Sequence, residues 1–326
     1  MARHFFRKAL VGAGSLMLWA SPAVAADCDF LADSFFKTAT LSEVEDCLQA
    51  GADASRQEAG WTPLHLAVAR TRDPAIIAAL LEAGAKVDSR NQKGHTPLYV
   101  ASYNKELAIV APLLEAGADV NSREDALGLT PLHWAAANNP HPAVIAALVA
   151  AGAEIESLDQ AGTTPLHAAA ASNAEPAVIA ALVEAGAAID SRDRLGATPL
   201  HAAAAGNAEP AVIAALIEAG IAIDSRDRLG ATPLHAAATE NPSPAIIAAL
   251  VEAGAEVNSR DNFGLTVLHR AAIHSSDFAV IAALVEAGAD PSLVDEEGNT
   301  AWEHAQGNPA LKDVAGIARL KVSQVQ

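Results

Sequence analysis

The thirteen residues RDRLGATPLHAAA occur twice, from Arg192 and again from Arg226, thirty-four residues apart. The same step runs along most of the chain: Thr62, Thr96, Thr130, Thr164, Thr198, Thr232, Thr266 and Thr300 all keep it. The glycine of an EAGA-type element recurs once per unit with them, from Gly51 to Gly288. Self-similarity at a fixed period of this length builds a stack of like supersecondary units, each leaning on its neighbours, rather than one compact domain.

Each unit reads as two short helices and a hairpin. Thr198 is placed to cap the first helix, with Pro199 at its first position, where a missing N–H costs nothing. The helix runs through His201 to Ala205 and stops at Gly206-Asn207. Glu209 and Pro210 open a second helix, AVIAALIEAG, which Gly220 ends in a left-handed C-cap. IAIDSRDRLG then has the polar, turn-rich wording of an exposed hairpin. Aromatics are only 4% of the chain, so the core must come from Ala, Leu, Ile and Val on closely stacked helices. A single unit has no second side to its core and gains stability only by stacking.

At TPLHAAA…AVIAALxEAGAxxxSRDxxG the chain closely resembles the ankyrin repeat, over residues 29–320, in eight hairpin-led units behind a partial one. The resemblance implies an all-α ankyrin-repeat solenoid of stacked helix–turn–helix units with projecting hairpins. Most units carry one residue more than the familiar thirty-three, placed between the helices; the second unit instead has a short link, YNKELA, and a longer hairpin, REDALG. Pro112 interrupts the second helix of that unit, which is expected to bend there. The boundaries are 26–61 for an N-terminal capping partial repeat, 62–299 for the repeats and 300–326 for a C-terminal capping repeat. Thr40 with Glu43 makes a capping box in the first of these.

Six histidines, His65, His133, His167, His201, His235 and His269, fall in one column. They are no metal ladder: neighbouring helices pack about 8–10 Å apart, whereas two ligands of one zinc each lie about 2 Å from the ion. The resemblance implies a scaffold role, each imidazole bonded to the Thr three residues earlier (Thr62 for His65) and to a neighbouring hairpin. Tyr99 replaces the histidine in the second unit and Val267 the proline in the seventh, which puts the local network there in doubt. No GxSxG, HExxH, phosphate-binding glycine loop or EF-hand spacing is present, so neither catalysis nor a cofactor or metal is expected.

The resemblance also implies a protein partner, met through hairpin tips and exposed ends of first helices. The arginines before the tips are then candidates: Arg90, Arg123, Arg192, Arg226 and Arg260, with Arg56 in the first unit. Neighbours such as Asp193 and Asp227 leave open a solvated, self-neutralising ladder. Trp61, His95 and Tyr103, with Lys93 beside them, fall at positions the family exposes, and large aromatics dominate interface energies. The alternative is that these aromatics only pack the N-terminal end. The central units offer small residues, Ala205 and Gly206, which anchor poorly.

Residues 1–25 read as a secretory signal. Arg3, Arg7 and Lys8 precede the apolar run Ala9–Ala20, and Ala23-Val24-Ala25 has the form of a cleavage site. The run is too short to span a bilayer, so no stable membrane insertion is expected after cleavage. A retained anchor is the other reading. Export to the periplasm or beyond makes Cys28 and Cys47, the only cysteines, candidates for a disulfide, with two buried thiols as the alternative. A formal charge of -18 with no basic patch argues against nucleic acid. The sequence thus points to a non-catalytic, monomeric protein-binding scaffold outside the cytoplasm, or alternatively an inhibitor or immunity-type protein that blocks one enzyme.

Overall fold

The computed structural model describes residues 28–32, 34–103, 106–207, 209–311 and 315–320; the segment read as a secretory signal lies outside them. Among these residues the chain forms α1 (Phe35–Thr38), α2 (Leu41–Gln49), α3 (Pro63–Arg70), α4 (Pro74–Glu82), α5 (Pro97–Ala101), α6 (Leu107–Glu115), α7 (Pro131–Asn138), α8 (Pro142–Ala150) and α9 (Pro165–Ser172). It continues with α10 (Pro176–Glu184), α11 (Pro199–Gly206), α12 (Pro210–Glu218), α13 (Pro233–Glu240), α14 (Pro244–Glu252), α15 (Val267–His274), α16 (Phe278–Glu286), α17 (Ala301–Gly307) and a 3-10 helix (Ala315–Leu320). Odd-numbered helices pack on one another as an inner row, even-numbered ones as an outer row, and each inner helix packs on the outer helix that follows it. The hairpins between units carry only isolated β-bridges among the described residues. This is an all-α solenoid.

Its core is a set of ladders. Leu64, Leu98, Leu132, Leu166, Leu200, Leu234 and Leu268 occupy one buried column of the inner row, and Ile77, Val110, Ile145, Ile179, Ile213, Ile247 and Ile281 the matching column of the outer row. Burying each such side chain contributes about 1.5–3 kcal/mol, and the inner helices pack chiefly on those of the neighbouring units. Small residues set the approach of the inner helices. A Cβ added to Gly206 would lie 2.9 Å from the Ala171 carbonyl oxygen.

Inner helices start as their sequence dictates. Thr198 is the N-cap of α11, with Pro199 at the first position. Its amide and its hydroxyl both approach His201 Nδ1, at 3.2 and 2.9 Å. The His201 Nε2 lies 3.0 Å from the Ala231 carbonyl oxygen in the next hairpin. Two donors at Nδ1 and an acceptor at Nε2 fit the neutral tautomer protonated at Nε2. The arrangement repeats at His65, His133, His167, His235 and His269. Val267 leaves it intact: Thr266 Oγ1 is 2.7 Å from His269 Nδ1 and Nε2 reaches Asn299. At Tyr99 ring stacking replaces it, between His95 at 4.5 Å and Trp134 at 5.4 Å.

Two expectations are corrected. Glu209 supplies no side-chain cap to α12; Asn207 Oδ1 instead accepts the Glu209 amide at 2.9 Å. The same Asn207 donates from Nδ2 to the carbonyl oxygens of Ala170 and Asn173 in the preceding unit, at 3.0 and 2.8 Å. Asn173 and Asn241 repeat both bonds, giving a buried amide ladder between the helix pairs. A short amide reaches a neighbouring unit where a longer glutamate points to solvent. Nor does Pro112 interrupt α6, which keeps the nine residues of its companions. Packing between α4 and α8 outweighs the lost hydrogen bond.

At the N-terminal end Thr40 and Glu43 form the capping box of α2. Cys28 and Cys47 are joined by a disulfide, their Cα atoms 5.5 Å apart. It ties down the segment carrying Phe30, whose ring lies against Phe35 and Phe36. No described helix is long and apolar enough to cross a membrane.

Candidate partner-binding surface

The hairpin arginines join units to one another. Arg192 Nη1 donates to the carbonyl oxygens of Gly196, in its own tip, and Arg226, in the next, both at 2.7 Å. Arg226 likewise reaches Gly230 and Arg260, and Arg260 reaches Gly264 and Val294. Arg123 bonds Gly128 and Leu158, while Arg90 bonds the Arg123 carbonyl and pairs with Asp125. Each of these guanidinium groups thus has a backbone carbonyl of the next tip as a partner. Asp193 Oδ1 accepts the amides of Leu195 and Ala197 and closes the tip. The longer second hairpin uses a longer acid: Glu124 accepts from Ala126, Leu127 and Leu129. Burial pushes the Glu124 carboxyl up, but those amides outweigh it and hold it below the usual range.

Half-buried side chains on the fourth residue of each inner helix change character along the array. They are Leu66, Val100 and Trp134 at one end, Ala168, Ala202 and Ala236 in the middle, and Arg270 and His304 at the other. The apolar end holds a groove of about 770 Å³ lined by Leu31, Trp61, Leu66, Val100 and Tyr103, with Glu58, Arg70, Arg72 and Glu106 among its charged lining residues. Trp61 is fixed there by its hairpin. Gln57 stands where the next tip has Asn91 and the central tips an aspartate, and the turn instead closes between Glu58 and Trp61 by backbone bonds of 3.0 and 2.9 Å. Ala59 (φ 50°) and Gly60 (φ 77°) lie between them in the left-handed conformation such a two-residue turn requires. Tyr103 is 60% exposed at the end of its inner helix, and its ring lies 6.3 Å from that of Trp134.

Trp61 and Tyr103 thus share one groove, whereas Lys93 and His95 lie outside it. His95 is half-buried and stacked on Tyr99; burial lowers its pKa and the nearby Glu124 carboxylate offsets only part of that. Trp134 escapes a reading that looks only at tips and helix ends. Its signal was its register, four residues after the capping Thr130, in the column of Leu66 and Val100.

The opposite end is polar. Arg270 is held by the buried Asp261 at 2.6 Å and lies over the Phe263 ring at 5.6 Å. His304 Nε2 is 2.7 Å from Asp295. Burial pushes the Asp295 carboxyl up, but His304 and the amides of Asn299 and Glu297 outweigh it and hold it down to about 2. Among the described residues no group of three or more His, Cys, Asp or Glu side chains is gathered as a metal would need. Each column imidazole already has both ring nitrogens engaged by the fold, as at His201.

Comparison with family models agrees with this architecture. A model of ankyrin repeats in three copies matches residues 39–124, 122–193 and 170–261, and a model of ankyrin repeats in many copies matches residues 250–305. The chain belongs to the ankyrin-repeat family. Ankyrin repeats are protein–protein interaction modules, so the family suggests a protein as the class of partner.

Proposed function

We propose that this ankyrin-repeat chain is a non-catalytic scaffold that binds its partner in the groove between Trp61 and Tyr103 and works outside the cytoplasm, as a monomer. The single observation carrying the binding site is that groove, where aromatic and aliphatic side chains meet charges of both signs at the one apolar end of the inner face. A central aromatic anchor of this kind contributes about 2 kcal/mol or more to an interface, roughly thirtyfold in affinity. Export is supported by the charged start, short apolar run and small-residue site of residues 1–25, and by the disulfide next to them.

The test is capture from an extracytoplasmic extract by the full chain and by Trp61→Ala and Tyr103→Ala, with circular dichroism on each. Proteins retained by the parent and lost from both folded variants are the expected result. Retention unchanged in both variants would show that the groove is not the site. N-terminal sequencing of the native protein should find Ala26 or Asp27 first, and an intact Met1 on cytoplasmic protein would refute export.

A further inference from the structure

The hairpin tips form a second surface with its own chemistry. Leu195, Leu229 and Phe263 occupy the same tip position in three consecutive units and are 71%, 50% and 54% exposed. They are rigidly in register: the Leu195 carbonyl accepts the Arg228 amide at 2.9 Å, and the Leu229 carbonyl accepts the Asn262 amide at 2.9 Å. Arg194 and Arg228 stand beside the two leucines, and neither forms an ion pair among the described residues. The stem of each lies along the preceding tip, since a Cβ on Gly162 or Gly196 would sit 3.0 Å from Arg194 Cγ or Arg228 Cγ. Tips elsewhere expose single apolar residues such as Leu127 and Leu158, but here three stand in consecutive units, with a cation beside each leucine and Asn262 beside Phe263, on a chain of formal charge -18.

We infer that the row Leu195–Leu229–Phe263 docks an extended, polyproline-type segment of a partner protein, with an apolar residue at every third position and carboxylates between. The inference rests on the reading of this chain as a protein-binding array. Spacing selects the conformation. Stacked helices repeat at about 8–10 Å, and a polyproline II helix advances about 9 Å per three-residue turn, returning every third side chain to one face. In a β-strand every third residue points to opposite faces in alternation, so it cannot follow the row. Charge selects the composition: Arg194 and Arg228 favour carboxylates at the row, while the acidic remainder of the chain repels such a segment elsewhere.

The probe is a labelled synthetic peptide of repeated Leu-Pro-Glu triplets, titrated into the full chain by fluorescence anisotropy. Binding is expected, with about tenfold loss in Leu195→Ser/Leu229→Ser and a switch of preference to Leu-Pro-Lys triplets in Arg194→Glu/Arg228→Glu. All four positions are exposed, so circular dichroism should be unchanged. Equal binding of a scrambled peptide of the same composition, no binding, or binding that the tip variants leave intact would each overturn the proposal. Sedimentation showing a dimer of the parent chain that Leu195→Ser/Leu229→Ser dissociates would assign the row to a second copy and overturn it too. If captured partners depend on Trp61 but not on the tips, this inference falls while the groove reading stands.

Discussion

The side-chain amide of Asn207 donates to the backbone carbonyl of Asn173, exactly one unit away in sequence, at 2.8 Å, in a site closed to solvent. Its second hydrogen goes to Ala170 and its oxygen takes the Glu209 amide, so one small residue joins two units and opens a helix.

Replacing Asn207 by alanine should therefore be among the more damaging single changes. It leaves the carbonyls of Ala170 and Asn173 without this donor, at an expected cost of about 2–3 kcal/mol. Urea denaturation of Asn207→Ala against Ser172→Ala, an exposed neighbour in the preceding unit, measures it. A loss under about 0.5 kcal/mol would mean that water replaces the ladder.

Acid should destabilise the array through its histidines. Burial lowers the pKa of His65, His133, His167, His201, His235 and His269, which are neutral when folded. The unfolded chain takes up protons below about pH 6.5 while the folded chain does not. Stability from this source is complete above that pH and is lost as pH falls toward the depressed folded values. Denaturation midpoints should drop between about pH 7.5 and about pH 5. His201→Gln should flatten the slope by at most about 1.4 kcal/mol per pH unit, and an unchanged slope would count against a buried neutral imidazole.

Arg226→Ala should cost stability, about 1 kcal/mol, through its two carbonyl acceptors. Because its partners are dipoles, salt should alter that cost little. Arg90→Ala also removes an exposed ion pair with Asp125, and its cost should shrink as salt is added. Thermal melts at low and high salt separate the two.

Reducing the Cys28–Cys47 disulfide, or replacing both residues by serine, should loosen the first unit while leaving the central ones folded. The closed loop spans 19 residues of sequence separation, for which about 3 kcal/mol is expected. In a stack where units contact only their neighbours, that loss stays local. Hydrogen exchange should rise in α1 and α2 and not in α11 to α14; uniform loss of protection would refute a local effect.

The inner-helix starts and the histidine column were legible because each is written in residues close in sequence, and the period because the same words return. Thr198, Pro199 and His201 state a cap within four positions. Asn207 was not, since a polar residue in a short link has the wording of a turn, and its acceptors lie 34 and 37 residues back. Arg192 next to Asp193 has the wording of a surface ion pair, yet Arg192 reaches the backbone of the next tip and Asp193 accepts amides of its own. Pro112 shows the same limit from the other side: local propensity argued for a break, and neighbours on both sides held the helix. The groove was half legible, with Trp61 and Tyr103 found from their positions and Leu66 and Val100 hidden until the inner face was known.

The thirteen residues shared at Arg192 and Arg226 have one more consequence. Excising residues 192–225 as a block would join Ser191 to Arg226 and restore the same words at the junction, with His, Asn and Arg each meeting the acceptors they expect. A copying error of one whole period is thus a silent edit to the architecture, whereas the loss of two or three residues within a unit would put its ladders out of register with both neighbours. Length is a heritable dial in this chain, adjustable in steps of one unit without designing a new interior.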